Sequence, residues 1–241
     1  GWEDARAYAE AAEDEGAPVI LQAGPGARRH MPTAVWGAIF SELARQVRVP
    51  VVAHLDHGKD EDEIRAALDH GFSSVMYDGS ELPLSENIDR TARCVELAHA
   101  AGASCEGELG QVGYAGGKAS TQTDPAAAGR FVAGTGVDAL AVSVGNVHLQ
   151  TKAASEVDEA ALEAISHSLK GRIPLVLHGG SGIPAMQRAR LARATAVCKF
   201  NIGTELRQVF GAALRMSLAD QPQEFDRIAL LRPTEAPLRA K

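Results

Sequence analysis

The sequence predicts an α/β fold, a (β/α)8 TIM barrel, on three observations. Short apolar runs alternate with amphipathic helical patterns along its 241 residues. The runs are continuously apolar, as in parallel strands covered by helices. Run after run ends on a group able to do chemistry: His54, Asp56 and His57, then Asp78, Glu106 and Glu108, His148, His178 and Asn201. An open sheet would scatter these groups, whereas a barrel brings the carboxyl ends of all its strands to one mouth.

In chain order, strands are expected at 18–22 (PVILQ), 50–54 (PVVAH), 74–77 (SVMY), 103–106 (ASCE), 139–144 (ALAVSV), 175–178 (LVLH) and 197–201 (VCKFN). Helices are expected at 4–15, 33–47, 60–70, 84–100, 125–135, 158–169 and 184–193, where the pattern is amphipathic. A further helix is expected over 204–218. A closed barrel needs eight strands and this reading has seven, while the chain opens in a helical pattern (GWEDARAYAEAAEDEG). The barrel's first strand is therefore expected to precede Gly1. The whole of 1–241 reads as one barrel domain with a C-terminal helical extension from about residue 204.

Composition narrows the function. The hydrophobic fraction is 45% and the formal net charge −7, with Lys and Arg scattered, which argues against a nucleic-acid or membrane surface. No apolar run approaches the roughly 18 residues of a membrane span, and no signal peptide is visible. Cys94, Cys105 and Cys198 form no CxxC pair and read as buried thiols of a cytoplasmic protein.

The stretch VVAHLDHGKD (51–60) is the most informative. A strand ending on two histidines around a carboxylate is costly unless those groups are paired or bind a metal. His57, His148 and His178, all at strand ends, can give three nitrogens to a divalent ion with one position open, the pattern of catalytic zinc. Asp56 alternates away from His57 and faces the substrate, where an acid/base group belongs. His54 points into the barrel as support. His70, His99 and His167 read as solvent-facing on helices, and His30 as a loop residue.

Phosphate is the second signal. Gly179, Gly180 and Ser181, in HGGSG, join a strand to a helix, and Asn201, Ile202, Gly203 and Thr204, in NIGTE, do the same one strand later. Such turns let backbone N–H groups approach an anion, and the last two strand ends are the usual phosphate site of this fold.

In this order, HLDHG, SVMYDGS, EGELG, VGNVH, LVLHGGSG and CKFNIGTEL resemble the motifs of the class II, metal-dependent fructose-/tagatose-bisphosphate aldolases, over about residues 3–219. The resemblance implies a cytoplasmic lyase of carbohydrate metabolism that splits the C3–C4 bond of a ketose phosphate or bisphosphate into dihydroxyacetone phosphate and an aldehyde. It implies Asp56 as the proton-transferring aspartate and His57, His148 and His178 as ligands of Zn2+ or another divalent ion. Asp78 and Glu108 match a second or alternative metal position, and a monovalent cation is compatible. Residues 179–181 and 201–204 match the segments that hold the phosphate. Zinc would act as a Lewis acid on the ketose oxygens.

Three positions depart from the family pattern. The loop QVGYAGGKASTQT (111–123) has no acidic residue, where relatives carry one suited to protonating the enediolate. Leu149 follows His148 where the family often has glycine, and Gly24 stands where several relatives have a serine. The loop is expected to be a mobile lid, poorly ordered without ligand. Two other readings are a Schiff-base aldolase using Lys199 and a non-catalytic barrel that binds metal and sugar phosphate. The apolar face of helix 204–218 suggests a homodimer or homotetramer.

Overall fold

Seven parallel strands form a single sheet in the computed structural model, which describes residues 1–117, 119–151 and 156–241. They are β1 (Val19–Ala23), β2 (Val51–Gly58), β3 (Ser74–Tyr77), β4 (Ser104–Leu109), β5 (Ala139–Val142), β6 (Leu175–Leu177) and β7 (Val197–Phe200). Each pairs with its neighbour in sequence. Laid flat, β2 and β7 would stand about 24 Å apart, five spacings of roughly 4.8 Å. Instead Lys199 on β7 donates to His54 Nε2 on β2 at 3.2 Å. The sheet is therefore curled, with these side chains in its hollow. Among the described residues it has seven strands, the number the sequence reading counted, with β1 and β7 at its edges.

The helices are α1 (Trp2–Glu15), α2 (Pro25–His30), α3 (Thr33–Gln46), α4 (Glu61–Asp69), α5 (Leu84–Ala100), α6 (Pro125–Thr135), α7 (Glu159–Ser168), α8 (Ala185–Ala194), α9 (Thr204–Asp220), α10 (Arg227–Leu231) and α11 (Glu235–Arg239). Four of them start on an aspartate. Asp60, Asp124, Asp158 and Asp226 accept from the backbone N–H groups of Glu63, Ala127, Ala161 and Ile228. Each such cap is worth about 1 kcal/mol.

Odd and even strand positions serve different cores. Outward residues such as Leu55, Val75 and Leu175 join Phe40, Ile64 and Phe131 from the helices in one cluster, each buried side chain worth roughly 1.5–3 kcal/mol. Inward, Met76, Ala141 and Val176 form a small separate cluster that floors the hollow. Two residues further along the same strands stand Asp78, Ser143 and His178, which begin the polar mouth.

Some local expectations are corrected. β2 runs to Gly58 and not to residue 54, because its ladder with β3 continues through a register shift between Leu55 and Gly58. His30 ends the short helix α2 and does not lie in a loop; PGARRH carries no apolar repeat to betray it. Cys198 is exposed while Cys94 and Cys105 are buried, since β7 is an edge strand with one neighbour. The C-terminal segment continues as α10 and α11 and packs back, with Arg239 bridging Asp14 and Glu10 of α1 at 2.5 and 2.7 Å. Among the described residues, no helix is long and apolar enough to cross a membrane.

Candidate active site

The mouth of the hollow begins with the geometry of β2. Strand alternation sends His54 and Asp56 inward together, and His57 would follow on the other face. The register shift between Leu55 and Gly58, with His57 at φ 52°, turns its ring into the mouth instead. Left-handed backbone at a non-glycine residue costs about 1–3 kcal/mol and needs support from its surroundings. Arg28 of α2 gives it, donating to the carbonyls of Ala23, Asp56 and His57 at 2.7, 2.6 and 3.2 Å and to Glu63 Oε2 at 3.1 Å.

His57, His148 and His178 come together here, one ligand atom of each lying within 4.8 Å of the others. His57, Asp78 and Glu108 form a second such group within the same limit. His57 Nδ1–H donates to Asp78 Oδ2 at 2.8 Å, and Nε2 has no hydrogen bond among the described residues. His178 Nε2–H donates to Glu106 Oε1 at 3.0 Å. Its Nδ1, like Glu108 Oε2, is buried without a hydrogen-bond partner among the described residues. Buried polar atoms left unpaired cost free energy, and two of them facing one cluster of nitrogens fit a metal site. The donor set fits zinc, with an open position and histidines held by carboxylates.

Charge in the hollow is tightly coupled. Burial disfavours protonated His57, but Asp56, Asp78 and Glu108 outweigh it and raise the imidazole to about 9. His148 is lowered to about 3 by burial and by His178 and His57. Burial, with Asp78 and Glu106 adding, pushes Glu108 up to about 7. Against burial, His57, His178, Lys199 and His54 hold Asp56 below the usual carboxylate range.

Behind His178 runs a buried chain of polar groups. Lys199 Nζ donates to Glu106 Oε2 at 2.7 Å and to His54 Nε2, while His54 Nδ1–H donates to Ser74 Oγ at 2.8 Å. His54 is lowered to about 3 by burial and Lys199, consistent with a neutral ring. Lys199 points inward and is paired with an internal carboxylate.

Asp56 belongs to neither group of candidate ligands, and Asn201 Nδ2 donates to its Oδ1 at 3.0 Å. Gly24 lies beside it, and a Cβ there would stand 3.1 Å from Asp56 Oδ2. The two glycine turns adjoin one another. Gly180 N–H donates to the Asn201 carbonyl at 2.9 Å, and Ser181 Oγ accepts from Gly203 and Glu205 N–H, both at 3.2 Å, at the start of α9. Gly179 must be glycine: its φ is 66° and a Cβ would meet the Val147 carbonyl oxygen at 2.3 Å. Ile202 and Thr204 lie in the same turn.

The loop expected to be a lid is tied at its stem. Gln111 and Thr121 exchange backbone hydrogen bonds of 2.8 Å, Val112 is buried, and Thr123 bonds Leu109 and Ser143. Residues 114–117 and 119–122 of it are exposed, and Lys118 of that expected lid lies outside the described residues. Tyr114 stacks on His148.

Sequence reasoning missed several positioning residues. Asn87 Nδ2 donates to the Glu108 carbonyl and Asn146 Nδ2 to the His178 carbonyl, each at 3.0 Å. Lys59 donates to Asp78. Lys59 adjoins HLDHG and Tyr114 is the one aromatic of its loop, so both carried a signal; Arg28 carried none. His30, His70, His99 and His167 are exposed, away from the mouth.

Comparison with known proteins adds the following. The model of the family described as fructose-bisphosphate aldolase class-II matches residues 1–241. The chain is 40% identical over 237 residues to a fructose-bisphosphate aldolase of Geobacillus stearothermophilus, covering 95% of this chain and 82% of that protein. It is 38% identical over 248 residues to a 6-phospho-5-dehydro-2-deoxy-D-gluconate aldolase of Shouchella clausii, covering 100% of this chain and 83% of the relative. Among solved structures, the YdjI aldolase of Escherichia coli K12 superposes with a TM-score of 0.80 at 30% identity, over 99% of this chain and 83% of that one.

Proposed function

This chain belongs to the class II fructose-bisphosphate aldolase family, a family of metal-dependent lyases, and from that premise we propose that it is a zinc-dependent aldolase acting on a ketose phosphate or bisphosphate. It would cleave and re-form the C3–C4 bond, giving dihydroxyacetone phosphate and an aldehyde. The observation that carries this is the pair of buried atoms without a hydrogen-bond partner among the described residues, His178 Nδ1 and Glu108 Oε2, beside His57 and His148.

His57, His148 and His178 would hold the ion, with Asp78 and Glu108 as a second or alternative position. Bound there, zinc supplies a Lewis acid to the substrate's carbonyl oxygen. Asp56 takes the proton of the C4 hydroxyl during cleavage and returns it during condensation, and Asn201 holds the carboxylate for that task. Gly179, Gly180 and Ser181 with Asn201, Ile202, Gly203 and Thr204 seat the phosphate, whose binding energy positions the reacting carbons. A closed (β/α)8 barrel is the full form of the observed curl and belongs to this reading. So does self-association into a dimer or tetramer, supported by Met216, Leu218, Phe225 and Ile228, which are exposed on and after α9.

The Schiff-base reading is disfavoured by the ion pair of Lys199 with Glu106, because a paired ammonium is not a free amine nucleophile. The test is a retro-aldol screen of ketose mono- and bisphosphates with and without zinc, detecting released dihydroxyacetone phosphate. Zinc-dependent release is expected. Metal and phosphate binding with no turnover on any substrate would instead establish the non-catalytic barrel.

A further inference from the structure

Two groups of ligand-bearing side chains share His57: one with His148 and His178, the other with Asp78 and Glu108. Geometry alone would admit two ions side by side. The second group, however, already holds a positive charge. Lys59 Nζ donates to Asp78 Oδ2 at 2.7 Å and to the Asp78 carbonyl at 3.3 Å. That carboxylate oxygen is also the one bonded by His57 Nδ1. Lys59 is delivered there by the bulge of β2, and its own N–H is fixed by Glu63 Oε2 at 2.9 Å. Its side chain is 51% exposed, so the ammonium reaches in from the rim and is not packed in the core. Glu108 Oε2 stays buried and unpartnered beside it among the described residues.

We propose that Lys59 is a tethered cation that occupies the Asp78 corner of the second position and restricts the site to one divalent ion. The proposal rests on the metal reading above. A lysine ammonium is a compact charge with three donors on a flexible stem, suited to stand in for an ion. A second divalent ion at Asp78 would have to displace it or share an oxygen with it, and like charges that close repel.

The test is metal content. Purified protein is loaded with zinc, desalted and measured by elemental analysis, as wild type, Lys59→Met, Lys59→Arg and the double variant Lys59→Met/Asp78→Asn. Loading with manganese adds an electron-paramagnetic spectrum, in which two neighbouring ions couple and one does not. About one ion per chain is expected for the wild type and Lys59→Arg, about two with a coupled spectrum for Lys59→Met, and one again for the double variant. Loss of Lys59 empties no core position, and thermal unfolding of each variant verifies that it is folded. Two ions in the wild type, or one in folded Lys59→Met, would overturn the role of Lys59 while leaving the metal site standing. No ion in the wild type would overturn the metal reading, and this inference with it.

Discussion

Tyr114 lies stacked on His148, ring centroids 4.9 Å apart and planes 27° apart. The residues on either side of it bond both backbone groups of the same histidine: His148 N–H donates to the Gly113 carbonyl at 2.8 Å and Ala115 N–H to the His148 carbonyl at 3.0 Å. A loop that grips a metal-ligand candidate this way would couple its own order to ion affinity. Aromatic stacking contributes about 0.5–1.5 kcal/mol beyond burial, so Tyr114→Ala should weaken zinc binding about 3- to 10-fold in a chelator competition. Tyr114→Phe should leave it within about 2-fold. Equal affinity in wild type and Tyr114→Ala would show that the stack orients nothing.

His178→Ala should abolish stoichiometric zinc binding, since it removes the proposed ligand whose Nδ1 is buried without a hydrogen-bond partner among the described residues. Prolonged treatment with a strong chelator should remove the ion from the wild type and lower its melting temperature, because a ligand that binds only the folded state stabilises it. A His178→Ala protein with full zinc content would refute the three-histidine site.

Glu106→Gln separates two roles of one carboxylate. The residue holds His178 Nε2, and outer partners of this kind are worth about 10- to 100-fold in metal affinity. It also neutralises buried Lys199, and stranding such a partner costs about 3–5 kcal/mol. Glu106→Gln should therefore lose both affinity and stability in denaturant melts. The double variant Glu106→Gln/Lys199→Met should regain most of the stability but not the affinity. Joint recovery of both would mean that the carboxylate acts on the fold alone.

Asp56→Ala should keep its zinc and lose turnover by roughly 10²–10⁴, the usual worth of a general acid/base. Asn201→Ala should act in the same direction through kcat, because it releases the carboxylate from its partner. Loss of metal from Asp56→Ala, with normal turnover on reloading, would reassign Asp56 as a ligand.

Leu149 sits at φ 57° immediately after His148 and is 51% exposed, so little packing depends on its side chain. Glycine would relieve a left-handed cost of about 1–2 kcal/mol but add about 0.4–1 kcal/mol of unfolded-chain entropy. Leu149→Gly should thus be neutral to mildly stabilising. Leu149→Val, β-branched and ill-suited to positive φ, should cost about 1–2 kcal/mol. Denaturant midpoints would decide, and equal midpoints for the two variants would show that the backbone there is not left-handed in solution.

Strand order and the inward pairs His54/Asp56, Glu106/Glu108 and Lys199/Asn201 were legible, because a period of two puts alternate residues on one face. The convergence of His57, His148 and His178 on one mouth was expected from a barrel, in which all strand ends meet. The reach of His57 was not legible in detail: it depends on a register shift against β3, which β2 does not encode by itself. Arg28, Asn87 and Asn146 act on carbonyls that come near only in the folded chain, so no local pattern marks them. The loop 111–123 looked free because its composition is polar and small, yet its stem is held by backbone bonds that composition does not reveal.

The floor of Met76, Ala141 and Val176 keeps water from beneath the polar layer, and this makes electroneutrality a condition on the hollow. Asp56, Asp78, Glu106 and Glu108 bring four carboxyl groups to it, against the two ammoniums of Lys59 and Lys199. An uncompensated charge out of water costs several kcal/mol. With no ion bound, protons make up the shortfall: one on His57, whose imidazole is raised to about 9, and part of another on Glu108, at about 7. A divalent ion at the proposed site would supply a similar charge. Its uptake would then exchange ion for protons, and the hollow would keep nearly constant charge through it, so that one backbone arrangement would serve the protein both empty and loaded.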